Sequence, residues 1–465
     1  MKKLFKEVKS LDKRCYDKLY LSEDILMEQA SMALANEVKN CVIENEKVLF
    51  ICGSGNNGAD GITAARILSK ELDVSVYVPF GVKSKMAELQ LKRLRALNVN
   101  VVSSLIKADV YVDALFGSGL VRDLNENIIE IIENVNKRKA KKIACDIPTG
   151  IDNDGKVSTV CFESDVTVTM GALKESLYSD EAKDFTGEIK VANLGVSREN
   201  YELTPTSYLL EEEDLDLPYR TKYMVNKGSF GHVIVLSGHK EGASRLSADA
   251  AFNFGAGLVT ICGKNRNNIP VSIMSSEALP KDFSVVVAGM GLGNIYGEQK
   301  LRDYLLLHEK PLVIDADLLH HKILKEVLEK KNNVVLTPHP KEFISLLRIL
   351  NIADIDINEI QSNRFKWARE FAKRYPNVVL VLKGANTIII KDKLLYVNPL
   401  GTSKLSKGGT GDVLSGMIGS LLAQGYGTLE SAYNASLAHS LVANKMKCSS
   451  FGLNPIDLCE GIKWL

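Results

Sequence analysis

Gly408-Gly409-Thr410-Gly411-Asp412 runs without a break into Val413-Leu414-Ser415-Gly416-Met417-Ile418-Gly419, a glycine turn followed by an apolar helical stretch with small residues on one side. Closely spaced glycines let backbone N–H groups turn toward a phosphate, and a helix N-terminus adds favourable polarity for an anion. Asp412 falls in the first turn of that helix. For an isolated Asp the commoner role is a plain N-terminal cap. The glycines around this one favour a chemical role beside a bound phosphate.

Upstream, short apolar runs alternate with helix-period stretches. In the C-terminal half the runs are 232–236, 258–262, 284–288, 312–314, 334–336, 378–382 and 387–390. In the N-terminal half they are 47–52, 74–78, 108–114 and 142–146. Such alternation predicts α/β architecture with mostly parallel sheets, because parallel strands need crossover connections. Ligands are then expected at the C-terminal ends of the strands. Between the two series, 197–219 carries Pro205, Pro218 and the acidic cluster Glu211-Glu212-Glu213-Asp214, and is the best linker candidate.

The chain has 465 residues and a formal net charge of +1. The length implies two or three domains, and the scattered charge offers no footprint for nucleic acid or an anionic membrane. Small-molecule partners are favoured. Residues 1–20 read as a surface helix rather than a leader, and no apolar run approaches the roughly 20 residues that span a bilayer. A soluble, cytoplasmic protein is expected. Eight cysteines lie without CxxC or metal-ligand spacing and read as reduced and structural.

Three further C-terminal segments carry candidates. Lys383-Gly384-Ala385-Asn386-Thr387 is a strand end with a tight turn, which alone is compatible with a simple hairpin. Thr337-Pro338-His339-Pro340-Lys341-Glu342 holds a histidine between two prolines, and a lone histidine is more often structural than functional. Gly289-Met290-Gly291-Leu292-Gly293 follows a strand and allows close backbone approach to a ligand, or merely a left-handed turn.

In the order Lys227-Gly228-Ser229-Phe230-Gly231-His232, GMGLG, TPHP, KGANT and GGTGD, these segments resemble the ribokinase-like NAD(P)H-hydrate dehydratase family over 221–465. The resemblance implies removal of water from the S hydrate of NADH or NADPH (NADHX, NADPHX) at the expense of ADP or ATP, with Mg2+. Phosphoryl transfer would activate the substrate hydroxyl, a step that needs positioning and charge stabilisation more than covalent help. By the same resemblance Asp412 is the catalytic base, and Ala243, Gly291, His339 and Asp412 bind the hydrate. Lys383, Gly384, Ala385, Asn386, Thr387 and Gly411 bind the nucleotide. Asp315 and Asp317 match a family segment and shape the site or cap the next helix. Lys341 stands where the family commonly has Gly, and Lys407 precedes the double glycine.

The first N-terminal strand runs into Gly53-Ser54-Gly55-Asn56-Asn57-Gly58-Ala59-Asp60-Gly61. The spacing satisfies GxGxxG, but the acidic residue expected about 20 positions on is missing, which argues against a classical dehydrogenase. Asn56, Asn57 and Asp60 offer oxygens suited to a hard cation or a sugar hydroxyl, or to Asx turns. Polar, glycine-bearing strand ends recur at 112–120 and 145–152.

With Met27-Glu28-Gln29-Ala30, these motifs resemble the NAD(P)H-hydrate epimerase domain over 4–195. That implies interconversion of the R and S hydrates. Asn57, Asp113 and Thr149 match potassium-holding positions. Asn56, Asn57, Gly58, Ala59, Asp60, Gly117, Ser118, Gly119, Leu120, Val121, Arg122, Asp123 and Asp146 match hydrate-binding ones. Asp113 or Asp146 could also handle protons. Ala59 replaces a usual Gly, Gln29 a usual Asn and Asp123 a usual Pro; Ala59 is tolerable only at negative φ.

The expectation is an α/β chain with an N-terminal Rossmann-like three-layer sandwich (1–205) and a ribokinase-like domain (206–465). It would act as a fused nicotinamide-nucleotide repair enzyme and assemble as a homo-oligomer. The alternative is a ribokinase-like small-molecule kinase with a non-catalytic N-terminal binding domain.

Overall fold

The computed structural model describes residues 1–119, 123–264 and 268–465. Two compact units divide the chain between Ser207 and Tyr208, with Met1–Lys2 grouped with the second.

In the N-terminal unit the strands are β1 (Lys2–Phe5), β2 (Lys47–Cys52), β3 (Asp73–Tyr77), β4 (Asn100–Val102), β5 (Val110–Ala114), β6 (Lys141–Cys145), β7 (Val166–Met170), β8 (Leu173–Lys174) and β9 (Glu188–Ala192). Seven of them form a sheet in the order β4-β3-β2-β5-β6-β7-β9, parallel throughout. Alternate residues supply two apolar layers. Val48, Phe50, Val110 and Val112 pack on one face, and Leu49, Ile51, Tyr111 and Ala144 on the other. A parallel sheet covered on both faces needs such near-continuous apolar strands, and the result is the three-layer α/β arrangement expected. Strand order reverses between β2 and β5, so the loops after them diverge and leave a crevice at that switch point.

The C-terminal unit holds β10 (Ser207–Leu209), β11 (His232–Leu236), β12 (Leu258–Cys262), β13 (Met274–Ser276), β14 (Val285–Ala288), β15 (Leu312–Ile314), β16 (Val334–Leu336), β17 (Val379–Leu382), β18 (Thr387–Lys391) and β19 (Leu394–Asn398). The order is β13-β12-β11-β14-β15-β16-β17-β18-β19-β10. Pairing is parallel up to β17, and β17-β18-β19 form an antiparallel meander. Order reverses again, between β11 and β14. The helix Thr410–Ala423 packs against Glu241–Asn253, and Gly416 makes that contact possible: a Cβ there would lie 2.0 Å from the Ser247 carbonyl oxygen.

Two local expectations change. Residues 2–5 are a strand and only Lys9–Leu19 is helical, because Leu4 and Phe5 are buried in parallel pairing with Leu173 and Lys174. The linker candidate is not slack chain. Tyr201 and Leu210 are buried, and β10 pairs with β19. Among the described residues all eight cysteines are free thiols, six of them buried, and no helix is long and apolar enough to cross a membrane.

Candidate active sites

In the C-terminal unit, the predicted loop caps the helix Thr410–Ala423 with Gly409 at φ 97°, and no side chain serves as the cap. Asp412 therefore sits inside the first turn with its carboxylate unspent on capping. Burial, then the negative charges of Asp315 and Glu342, push its carboxyl up to about 6, while Lys383 works the other way.

Lys383, at the end of β17, reaches across to this loop. Its Nζ lies 2.9 Å from Asp315 Oδ1 and 3.9 Å from Glu342 Oε2. A Cβ on Gly411 would stand 3.2 Å from the same Nζ. Burial alone would lower the lysine; Asp315, then Glu342, more than restore its charge. Asp315 also accepts from Ser415 Oγ at 2.7 Å, tying β15 to the helix that bears Asp412. Asp315 also caps the turn that follows it, accepting from the Ala316 amide, as expected, whereas Asp317 accepts from Gly293 N in the loop after β14 and caps no helix there.

Reasoning from sequence missed Arg364. It is buried and donates to the carbonyls of Leu382, Lys383 and Asn386, which pins the turn Lys383-Gly384-Ala385-Asn386-Thr387 from beneath. It also missed His439, whose Nε2 lies 2.9 Å from the Thr410 carbonyl; burial pulls that imidazole down to about 4, so it is neutral near pH 7.

Gly291 (φ 58°) and Ala243 are neighbours: a Cβ on Gly291 would lie 3.3 Å from that of Ala243. The loops after β11 and β14 are joined there by Lys240 N donating to Gly291 O at 2.9 Å. His339 caps the helix Pro340–Ile349, its Nδ1 accepting from the amides of Lys341 and Glu342 at 3.1 and 3.3 Å. The structural role that sequence alone favours for it is thus present, and half of its side chain remains exposed.

In the N-terminal unit the candidate loops follow β2, β5 and β6 at the switch point. Asp113 is buried and accepts from Thr149 N at 2.7 Å, Thr149 Oγ1 at 2.8 Å and Leu115 N at 3.1 Å. Burial pushes its carboxyl up to about 6 despite those bonds. Thr149 Oγ1 also lies 3.5 Å from Phe116 O. Gly117 lets two polar side chains come close: a Cβ there would meet Asp146 Oδ2 at 2.7 Å and Asn57 Oδ1 at 2.8 Å and force them to shift. The Nδ2 of Asn57 is buried with no hydrogen-bond partner among the described residues.

Asn56, Asn57, Gly58, Ala59 and Asp60 open the helix Asn56–Leu68. Ala59 is buried inside it and is absent from the positive-φ residues, so the condition for tolerating a Cβ there is met. Ser118 N donates to Asp146 Oδ2 at 3.1 Å. Gly119 lies beside Ser118 with open space around it, Asp123 is exposed coil, and Gln29 is exposed beside Gly195. Leu120, Val121 and Arg122 lie outside the described residues.

Comparison with known proteins places both halves. Residues 232–463 match the family described as NAD(P)H-hydrate dehydratase, and 23–176 match that described as YjeF-related protein N-terminus. A bifunctional NAD(P)H-hydrate repair enzyme of Helicobacter pylori is 41% identical over 476 residues, covering 100% of both chains. This chain belongs to the bifunctional NAD(P)H-hydrate repair enzyme family. A second member of the repair-enzyme family, from Coxiella burnetii, is 33% identical and matches 91% of each chain. Among solved structures, an ADP/ATP-dependent NAD(P)H-hydrate dehydratase from Bacillus subtilis, co-crystallised with ATP/Mg2+, covers 55% of this chain and 96% of its own at 28% identity and a TM-score of 0.48. In this repair-enzyme chain the N-terminal candidates follow the switch-point strands β2 and β5 and their neighbour β6, whereas the C-terminal ones spread over the ends of β11 and β14 to β17 and the start of the helix Thr410–Ala423.

Proposed function

We propose that residues 206–465 dehydrate the S hydrate of NADH or NADPH using ADP or ATP, and that residues 1–205 interconvert the R and S hydrates. The observation that carries the first half is Asp412, a half-buried carboxylate left free of capping at a glycine-rich helix start and facing a lysine held by Asp315. Lys383 and the amides around Gly411 take the phosphates, with the turn Gly384–Thr387 along the nucleotide. Ala243, Gly291 and His339 line the hydrate. Asp412 removes the hydroxyl proton as that oxygen takes the terminal phosphoryl group and AMP or ADP is released; inorganic phosphate then leaves, and the neighbouring ring carbon gives up a proton to solvent as the double bond returns. Release of the phosphorylated group separates this reading from a plain kinase.

Among the described residues no three His, Cys, Asp or Glu side chains stand together to cage a metal. The fit is therefore to Mg2+ carried on the nucleotide's own phosphate oxygens. In the N-terminal unit Asn57, Asp113 and Thr149 present one carboxylate and neutral oxygens, a donor set that fits K+. A cation there would offset the burial of Asp113. The reading extends to a cytoplasmic homo-oligomer.

The deciding assay incubates the purified chain with mixed R and S hydrates plus ADP or ATP and follows NADH absorbance. Recovery of both epimers is expected, and no recovery sinks the repair reading. A base must be ionised to accept a proton, and the Asp412 carboxyl titrates near 6. Dehydration kcat should therefore fall as pH drops through about 6; a profile flat to pH 4.5 would remove Asp412 from the role. Replacing K+ by Li+ should slow R-to-S conversion in the wild type and leave Asp113→Asn indifferent to the cation; equal rates of the wild type in both salts would exclude the potassium assignment.

A further inference from the structure

Three carbonyls around one turn converge on a single buried cation. The turn 383–386 joins β17 to β18, and Arg364, which opens the helix Arg364–Arg374, lies beneath it and is only 3% exposed. Its Nη2 donates to Leu382 O at 2.9 Å and to Lys383 O at 3.0 Å, and its Nη1 donates to Asn386 O at 3.0 Å. Burying a guanidinium is costly unless its donors are paired, and an apolar side chain would fill the same space without that cost. Packing alone does not account for an arginine here. Its planar fork serves several acceptors at fixed angles, which a lysine ammonium on a flexible stem does not.

A trans peptide unit points the C=O of one residue and the N–H of the next in opposite directions, and among the described residues no peptide bond is cis. Holding the Leu382 carbonyl toward Arg364 therefore turns the Lys383 amide the other way. That amide is found donating to Pro338 O at 2.9 Å, which ties the turn to the loop of His339. Holding the Lys383 carbonyl does the same to the Gly384 amide. Gly384 and Ala385 are the exposed residues of the turn, whereas Asn386 is buried. The Ala385 carbonyl is drawn off as well: it lies against Gly401, 2.4 Å from where a Cβ there would sit. The negative ends of these peptide dipoles are turned into the protein, three of them onto a cation. The positive end at Gly384 is left on the other side, next to Lys383.

An outward amide beside a lysine suits an anionic oxygen. We propose that Arg364 is the positioning residue of the nucleotide site, holding the turn so that the Gly384 amide and Lys383 meet the phosphate oxygens of ADP or ATP. The proposal rests on the nucleotide reading above. Arg364 acts on the nucleotide only through the turn. Without it, three carbonyls lose their donor, a cost that the turn relieves by rotating its peptide units toward water. Carbonyl oxygens would then face the phosphates, and their partial negative charge would oppose binding.

The test measures dehydration of S-NADHX by the full chain with Mg2+ and either ADP or ATP, whichever the wild type uses. Calorimetric titration of the same nucleotide, with no hydrate present, gives its Kd. Arg364→Met should raise both KM and Kd for the nucleotide by about 10- to 100-fold, the worth of a hydrogen bond to a charged group, with a smaller fall in kcat. A purely structural role would instead reduce the folded fraction and lower kcat at an unchanged KM. Arg364→Lys keeps the charge but not the fork, so its nucleotide KM should lie between those of the wild type and Arg364→Met. Wild-type KM and Kd in a folded Arg364→Met chain overturn the proposal. A wild-type KM in Arg364→Lys would show that charge alone suffices and overturns it equally, and this variant decides the matter should Arg364→Met fail to fold. A wild-type chain that uses neither nucleotide overturns the functional reading itself, which is a separate result.

Discussion

Asp412→Asn should lower dehydration of the S hydrate by about 10²- to 10⁴-fold, the range over which a positioned general base contributes. The amide keeps the shape of the carboxylate and loses only its capacity to take a proton. Since Asp412 caps nothing, the helix Thr410–Ala423 should keep its stability, and the melting temperature should move little. R-to-S conversion should continue at the wild-type rate, because it belongs to the other unit. Mixed hydrates incubated with this variant and ADP would then equilibrate between epimers without yielding NADH. Recovery of NADH at a wild-type rate would show that another group removes the proton.

Gly416→Leu should strongly destabilise the C-terminal unit. Extra methylenes in a packed core usually cost about 1–3 kcal/mol, and more where the obstacle cannot move. Here the obstacle is the Ser247 carbonyl, 2.0 Å from where even the first added carbon would sit. We expect a loss of at least about 3 kcal/mol, read as a lower urea midpoint for the C-terminal unit. The helix forced away is the one that carries Asp412, so dehydration should fall with it, and epimerisation again serves as the internal control. A full-strength dehydratase in this variant would mean that the two helices part without consequence.

What could be read from the sequence was local. The glycine turn into an apolar helix at Gly408–Gly419 announces its own geometry, and the strand runs are apolar because both faces of each sheet are covered. The groups that hold the sites in place were invisible, since their partners lie far along the chain. Asp315 meets Lys383 across 68 positions and Ser415 across 100. Arg364 is one basic residue in a basic helix until the carbonyls it serves are known. Lys174 belongs to a two-residue strand that no periodicity could reveal, and the carboxylate that its buried Nζ meets, Asp146, lies 28 positions earlier. The strands at 2–5 and 207–209 were missed for the same reason: they are short, and only their pairing defines them.

The parallel pairing of Leu4 with Leu173 has a consequence for the order in which the N-terminal unit forms. Contacts between distant positions must close a large loop before they return any stabilisation, so they form late. During synthesis the opening strand must wait until β8 has left the ribosome before it can dock, and the backbone next to Lys174 is ordered only then. The seven-stranded sheet can assemble progressively as neighbouring strands emerge, whereas the buried lysine reaches its place only in the closing step. Maturation of this unit should accordingly show a slow final phase in which activity appears after most of the secondary structure.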